Sequence, residues 1–172
     1  TTMKMRNESL KKIKLVISDV DGVLTDGGMY YSAKGDIQKK FHARDGMGIS
    51  ILKRNNIPTV IITKEKNLIV KKWASKMSVD RLFDGVKKKE ILVSKLCKLY
   101  NLKEENIAYI GDDVNDIGIM MKIGISITPN DGNVEVKKIA NHIAKKNGGE
   151  GVLREVCDLI VSARFGKKKK LY

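Results

Sequence analysis

The chain has 172 residues, and a hydrophobic fraction of 42% is enough for one domain with a sizeable core. The net charge of +14 does not by itself separate a nucleic-acid partner from a small anionic one. Because the lysines are spread along the chain and only 5% of the residues are aromatic, we expect no nucleic-acid partner. No apolar run reaches the length of a membrane helix, so we expect a cytoplasmic protein with no membrane partner.

The apolar residues alternate between short continuous runs, typical of buried strands, and runs at helical spacing. The predicted strands are Leu15–Ile17, Thr59–Ile62, Val79–Phe83, Ile107–Ile110, Ile125–Ile127 and His142–Ala144. The predicted helices are Asp45–Asn55, Asn67–Met77, Lys87–Tyr100, a short one through Met120 and Met121, one from Val134, and Gly151–Ala163. Strands that alternate with helices predict an α/β fold with a mostly parallel sheet flanked by helices.

Two more strand-like runs, Met29–Ser32 and Ile37–Phe41, flank a turn that contains glycine and predict a β-hairpin. The whole chain, residues 1–172, is predicted to form a single domain. Its two ends, residues 1–11 and 166–172, are predicted to be flexible tails.

A cluster of acidic residues follows the first predicted strand. Asp19, Asp21 and Asp26 lie among glycines, which end the strand and let the backbone approach a ligand closely. Crowded carboxylates repel one another unless a cation or hydrogen-bond donors hold their charge. A set of oxygen ligands without nearby histidine or cysteine favours Mg²⁺.

A second acidic cluster, Asp112, Asp113 and Asp116, follows the strand Ile107–Ile110. Both clusters can therefore lie at the same carboxyl edge of the sheet. The alternative is a helix N-cap, since Asp favours helix N-termini. Three acids in one turn exceed what a cap requires, so we retain the metal site.

Four motifs occur in order along the chain: DVDGVLTDG after a buried strand, Thr63 at the end of a second, Lys89 at the start of a helix, and GDDVND after a later strand. Taken one at a time, a threonine or a lysine at such a place has an ordinary structural explanation. The joint occurrence resembles the haloacid dehalogenase phosphatase superfamily. This resemblance implies the superfamily's Rossmann-like fold, here with a hairpin flap and without an inserted cap domain.

The resemblance also implies a phosphatase mechanism. Asp19 corresponds to the nucleophile that forms an aspartyl-phosphate. Asp21 corresponds to the acid that protonates the leaving alkoxide and then activates water, which suits a reaction divided into two displacements. Thr63 and Lys89 match the groups that hold the transferring phosphoryl oxygens.

The metal ligands are carried over from the same resemblance. They are the carboxylates of Asp19 and Asp112 and the backbone carbonyl of Asp21, with Mg²⁺ as the expected ion. Asp113 or Asp116 is expected to assist through water or by orienting a ligand.

Three segments, GGMYYSAKGDIQKKF, FHARDGMGI and GGEGVLREVCDLI, are similar to those of the small tetrameric sugar-acid phosphatases. This similarity implies a phosphorylated keto-deoxy sugar acid as the substrate. It also implies a homotetramer in which a neighbour covers the open site and Arg154 reaches the site of a neighbouring subunit. A non-catalytic assembly module, like the C-terminal domain of acylneuraminate cytidylyltransferases, is the alternative of another class, and the intact catalytic motifs disfavour it.

The choice of sugar depends on residues at the rim. Glu65, Lys76 and Glu150 resemble the 2-keto-3-deoxynononate 9-phosphate phosphatases, whereas Arg44–Gly46 and the VCDLI of the last helix resemble the 3-deoxy-manno-octulosonate 8-phosphate phosphatases. Lys64 stands where both groups usually have glycine. Glu65, Lys76, Arg44 and Arg154 are therefore the candidate substrate-binding residues. We expect the nononate 9-phosphate, with the octulosonate 8-phosphate as the alternative.

Overall fold

The computed structural model describes residues 3–172 and contains eight strands and seven α-helices. The strands are β1 (Leu15–Ser18), β2 (Tyr30–Ser32), β3 (Gly35–Gln38), β4 (Thr59–Ile62), β5 (Arg81–Phe83), β6 (Ile107–Ile110), β7 (Ile125–Thr128) and β8 (His142–Ile143). The helices are α1 (Met3–Lys11), α2 (Ala43–Arg54), α3 (Leu68–Lys76), α4 (Val93–Tyr100), α5 (Ile117–Met120), α6 (Val134–Ile139) and α7 (Val152–Phe165). No helix in this part of the chain is long and apolar enough to span a bilayer.

Six strands form one sheet in the order β5-β4-β1-β6-β7-β8, and every pair in it is parallel. Strand β1 lies near the centre, where Val16 pairs with Thr59 on one side and Ala108 on the other. All residues of β1, β4, β6 and β7 are buried, as expected for parallel strands that helices cover on both faces. The predicted parallel α/β sheet is confirmed.

Two hydrophobic cores lie on opposite faces of the sheet. Val16 contributes to the core that contains residues of α2, α3 and α7, whereas Leu15 and Ile17 contribute to the core that contains residues of α4, α5 and α6. This alternation follows from the two-residue period of a strand.

Both chain ends are more ordered than the sequence predicted. The expected flexible tail over residues 1–11 is instead helix α1 from Met3 onward, while residues 1–2 lie outside the described part. Buried Leu10 packs this helix into the core. At the other end, the side chain of Asn55 donates to the Lys170 carbonyl (2.8 Å) and accepts from the Lys170 N–H (3.0 Å).

The predicted hairpin is present, as the antiparallel pair β2 and β3 separate from the main sheet. Its second strand begins at Gly35, where a φ of +107° favours glycine, and ends before the predicted Phe41. Phe41 instead stacks on Trp73 of α3, with ring centroids 4.3 Å apart. No cap domain is inserted within residues 3–172.

Candidate active site

The candidate active site lies at the carboxyl edge of the sheet. Asp19 follows β1, Thr63 follows β4 and Asp112 follows β6, so three neighbouring strands deliver polar side chains to one place. These side chains line a cavity of about 410 Å³, together with Asp21. The two acidic clusters therefore meet, as their positions in the sequence predicted.

Lys89 lies fully buried beneath this cavity, with 0% of its side chain exposed. Its ammonium lies 3.0 Å from Oδ1 of Asp19 and 2.7 Å from Oδ1 of Asp116, and it donates to the Tyr109 hydroxyl at 3.1 Å. Burial lowers the pKa of Lys89, but the charges of Asp19 and Asp116 outweigh burial and raise it. Lys89 is therefore a fixed cation beside the predicted nucleophile.

Asp116 holds the second acidic loop in place. Its Oδ1 accepts from the Tyr109 hydroxyl at 2.5 Å and from Lys89, while its Oδ2 accepts from the N–H groups of Asp112 (2.9 Å) and Asp113 (3.3 Å). Both oxygens are thus occupied by donors from the protein. Asp116 is better suited to orient Asp112 than to bind a metal directly.

The N-cap alternative for the second acidic cluster applies to one residue. The Oδ1 of Asp113 accepts from the Val114 N–H at 2.7 Å and caps the short 3₁₀ turn Val114–Asp116. Asp112 makes no such cap and lines the cavity. The cap and the predicted metal site therefore concern different residues of the cluster.

Burial, together with the crowding of carboxylates, raises two pKa values. Burial, and then the charge of Asp116, raises the pKa of Asp19 to about 6 against the opposing effect of Lys89. Burial, and then the charges of Asp19, Asp116 and Asp113, raises the pKa of Asp112 to about 8. One lysine does not neutralise this set of acids, so a further positive charge would be strongly stabilised.

The donor set fits a hard divalent cation. One oxygen each of Asp19, Asp112 and Asp116 lies within 4.8 Å of the others. Because both oxygens of Asp116 already accept from protein donors, Asp19 and Asp112 are the carboxylates of this set that are placed to bind the ion. Asp112 packs directly on the backbone of Gly22, where a Cβ would come within 1.8 Å of its Oδ2, and Gly22 also has a φ of +83°. This close contact fixes the Asp112 carboxylate beside Asp19, and oxygen ligands of this kind suit Mg²⁺ and similar ions.

A family model described as haloacid dehalogenase-like hydrolase matches residues 35–156. The chain belongs to the haloacid dehalogenase-like hydrolase family. The 3-deoxy-D-manno-octulosonate 8-phosphate phosphatase of Haemophilus influenzae is 36% identical over 91% of this chain and 87% of that protein. The enzyme of the same name from Escherichia coli K12 is 36% identical over 90% of this chain and 82% of that protein.

Solved structures of similar proteins support the assignment of the chain to this family. The cobalt-bound Haemophilus influenzae phosphatase superimposes with a TM-score of 0.89 at 36% identity and 93% coverage of both chains. The Moraxella catarrhalis phosphatase, in complex with magnesium, phosphate and KDO, gives a TM-score of 0.90 at 33% identity, covering 94% of this chain and 93% of that one. The predicted fold is confirmed, as is the prediction of a phosphoric monoester hydrolase rather than a non-catalytic module.

One lysine of this hydrolase was not singled out by the sequence. Lys39, just after β3, donates to Oδ1 of Asp21 at 2.7 Å and lies 3.4 Å from Oδ2 of Asp36. It stands in the motif QKKF beside a second lysine, and a pair of lysines after a strand usually forms a solvated surface. Only the three-dimensional structure shows that the side chain of Lys39 is buried while that of Lys40 is exposed.

Among the candidate rim residues, the structure brings Glu65 to the cavity but not Lys76. Glu65 and its neighbour Lys64 both line the cavity directly after Thr63. Lys76 is exposed in the last turn of α3. At 1.5 Å per residue it lies about 12 Å along the axis from Leu68, and it does not line the cavity that Glu65 lines.

Arg44, Arg154 and Glu150 lie in a different place. They line a groove of about 840 Å³ between α1 and α7, which does not share its lining with the catalytic cavity. Arg154 pairs there with Asp158 through Nε at 3.0 Å. Arg44 therefore does not line the catalytic cavity of its own chain, and its assignment to substrate binding stays a prediction.

Proposed function

We propose that this protein hydrolyses the 8-phosphate of 3-deoxy-D-manno-octulosonate through an aspartyl-phosphate intermediate. The observation that carries the proposal is the buried ammonium of Lys89, held between Asp19 and Asp116 beneath a cavity lined by acids. A buried cation beside a carboxylate nucleophile is what a transferring phosphoryl group requires.

In the first step, an oxygen of Asp19 attacks phosphorus and the bond from phosphorus to the sugar oxygen breaks. The Oδ1 of Asp19 is already held by the Val20 N–H at 2.8 Å and by Lys89, so the carboxylate is fixed and Oδ2 is the attacking atom. Thr63, which is buried at the end of β4 and lines the cavity, holds a phosphoryl oxygen.

Asp21 moves the protons. It gives a proton to the leaving sugar oxygen in the first step and takes one from the water that attacks the aspartyl-phosphate in the second. The products are inorganic phosphate and the free sugar acid, and both aspartates return to their starting states.

The metal is proposed to be Mg²⁺, bound by Asp19, Asp112 and the backbone carbonyl of Asp21. Bound there, it would offset the repulsion between the anionic phosphate and the anionic nucleophile. Asp113 and Asp116 contribute indirectly, since Asp116 fixes the loop and both lie beside Asp112.

Removal of divalent cations with EDTA is expected to abolish phosphate release, and Mg²⁺ is expected to restore it, because the acids at the sheet edge then lose their counter-charge. Phosphate release from p-nitrophenyl phosphate measures this directly. Mg²⁺ should also raise the melting temperature of the wild type but not that of Asp112→Asn. Full activity after exhaustive chelation would contradict the proposed metal site.

The octulosonate is preferred over the nononate, which the sequence favoured, because the relatives that match nine-tenths of this chain are octulosonate 8-phosphate phosphatases. Lys64 and Glu65 are the residues of this chain that line the rim of the cavity after Thr63. We assign the substrate carboxylate to Lys64 and the sugar hydroxyls to Glu65.

Octulosonate 8-phosphate is expected to be hydrolysed with a higher kcat/KM than nononate 9-phosphate. Glu65→Ala should lower this value by about 10- to 150-fold, the equivalent of a charge-assisted hydrogen bond of roughly 1.5 to 3 kcal/mol. Hydrolysis of p-nitrophenyl phosphate, which lacks the sugar, should change little. A preference of the wild type for nononate 9-phosphate would contradict this assignment. So would an equal loss of kcat/KM by Glu65→Ala on octulosonate 8-phosphate and on p-nitrophenyl phosphate.

A homotetramer is also proposed, because the cavity is open and the hairpin exposes apolar side chains. Tyr31 and Ile37 on this small sheet, and Met29 just before it, are each at least 60% exposed, and a neighbouring subunit would bury them. In such an assembly Arg154 would face a neighbouring site rather than its own.

A further inference from the structure

Lys39 is a buried cation that the proposed mechanism does not yet use. Its side chain is 2% exposed, although it belongs to the hairpin, whose apolar side chains are largely open to solvent. A lysine is rarely so enclosed unless its ammonium is paired. Here the partner is Asp21, the proposed proton carrier.

A chain of polar contacts links this lysine to the main body of the fold. The ammonium of Lys39 lies 2.7 Å from Oδ1 of Asp21 and 3.4 Å from Oδ2 of Asp36. The same Oδ2 accepts from the side-chain amide of Asn67 at 3.0 Å, and Asn67 caps α3 by accepting from the Ile69 N–H at 2.8 Å. The hairpin is thereby fixed between the catalytic loop and the start of α3.

We propose that Lys39 is a positioning residue that sets which oxygen of Asp21 carries the proton to the leaving group. This inference rests on the proposed function, and specifically on the role of Asp21. Lys39 does not touch the phosphate. It acts through the orientation of one carboxyl group.

The geometry supports this role because the two oxygens of Asp21 are not equivalent. An oxygen that accepts a hydrogen bond from an ammonium group at 2.7 Å is poorly suited to hold a proton of its own. The proton is therefore directed to Oδ2.

A general acid matters in proportion to how much the leaving group needs a proton. The p-nitrophenolate ion leaves without one, whereas phenolate is more basic and benefits from protonation. Phenyl phosphate and p-nitrophenyl phosphate have nearly the same size, so their comparison isolates proton transfer from binding. A loss of fold or of phosphate binding would affect both esters equally.

The test is the kcat/KM of Lys39→Met on both esters. The expected loss is about 10- to 100-fold on phenyl phosphate and less than about threefold on p-nitrophenyl phosphate, because misplacement of an acid affects only the step that needs it. Lys39→Arg, which keeps a cation at this position, should recover most of the activity on phenyl phosphate. Lys40→Met is the matched control, since Lys40 is exposed and carries the same charge, and it should leave both values unchanged.

Asp36→Asn separates the orientation of Asp21 from the placement of the hairpin. It weakens the link to Asn67 but leaves the contact between Lys39 and Asp21, so its loss on phenyl phosphate should be several times smaller than that of Lys39→Met. Equal losses in these two variants, or equal losses on the two esters in Lys39→Met, would overturn the inference. If Lys39→Met does not fold by circular dichroism, Lys39→Gln provides the same comparison. Inactivity of the wild type on both esters would instead overturn the proposed function.

Discussion

Replacing Asp19 with Asn is expected to reduce phosphate release by at least about 10⁴-fold, the scale of loss when the nucleophile of a catalytic unit is removed. The amide has the shape of the carboxylate, and its oxygen can still accept from the Val20 N–H and from Lys89. The variant should therefore fold. The measurement is phosphate release at saturating p-nitrophenyl phosphate, with circular dichroism as the check on folding.

Asp26→Asn is the matched control for this variant. Asp26 belongs to the same acidic loop but is exposed, and its Oδ1 accepts only from the Gly28 N–H. Its replacement should leave turnover within about twofold of the wild type, as is usual for surface substitutions. If Asp19→Asn retained even a tenth of the wild-type rate, covalent catalysis by Asp19 would be wrong.

Replacing Lys89 with Met is expected to damage both activity and stability. Loss of a preorganised cation at the phosphoryl group should lower kcat by about 10²- to 10³-fold. Removing one partner of a buried ion pair leaves Asp19 and Asp116 without their counter-charge, which typically costs about 3 to 5 kcal/mol of unfolding free energy. Urea unfolding in EDTA measures the second effect, with Lys88→Met, the exposed neighbour, as the control.

The stability deficit of Lys89→Met should depend on pH with a definite sign. The pKa of Asp19 is already raised to about 6 with Lys89 present, and loss of the lysine raises it further. The folded variant then binds protons more tightly than the unfolded chain, so its stability decreases as the pH rises. The deficit should be larger at pH 8 than at pH 5. A deficit that does not change with pH would mean that the charge of Lys89 is not what stabilises this cluster.

Much of the fold could be predicted from local patterns. The central strands are buried on both faces, so each appears as a continuous apolar run, and the acids directly after two of these runs had to meet at one edge. Helix α1 was missed because its sequence is mostly polar, although buried Leu10 packs it on the core. The hairpin strand was placed too late because Phe41 continues the apolar pattern but packs on Trp73 instead.

The inner partners of the site were harder to predict. Tyr109 is fully buried in β6, and its hydroxyl, among otherwise apolar neighbours, was a sign that a polar partner lies nearby. The sequence contains no comparable sign for Lys39, since its partner Asp21 is brought to it only by the return of the hairpin over the loop. Lys76 and Arg44 were assigned from position in a motif, and position does not specify the direction in which a helix runs.

The central place of β1 has a consequence for how activity arises during folding. The nucleophile follows a strand whose two neighbours, β4 and β6, come much later in the chain, and Lys89 enters from a segment between them. The pairings of β1 with β4 and β6, and the contact of Lys89 with Asp19, therefore close long loops, and such non-local pairings form slowly. A chain that has formed only its helices or its hairpin holds no partial site. During refolding, enzymatic activity should return with the completed sheet, after the helical signal has recovered.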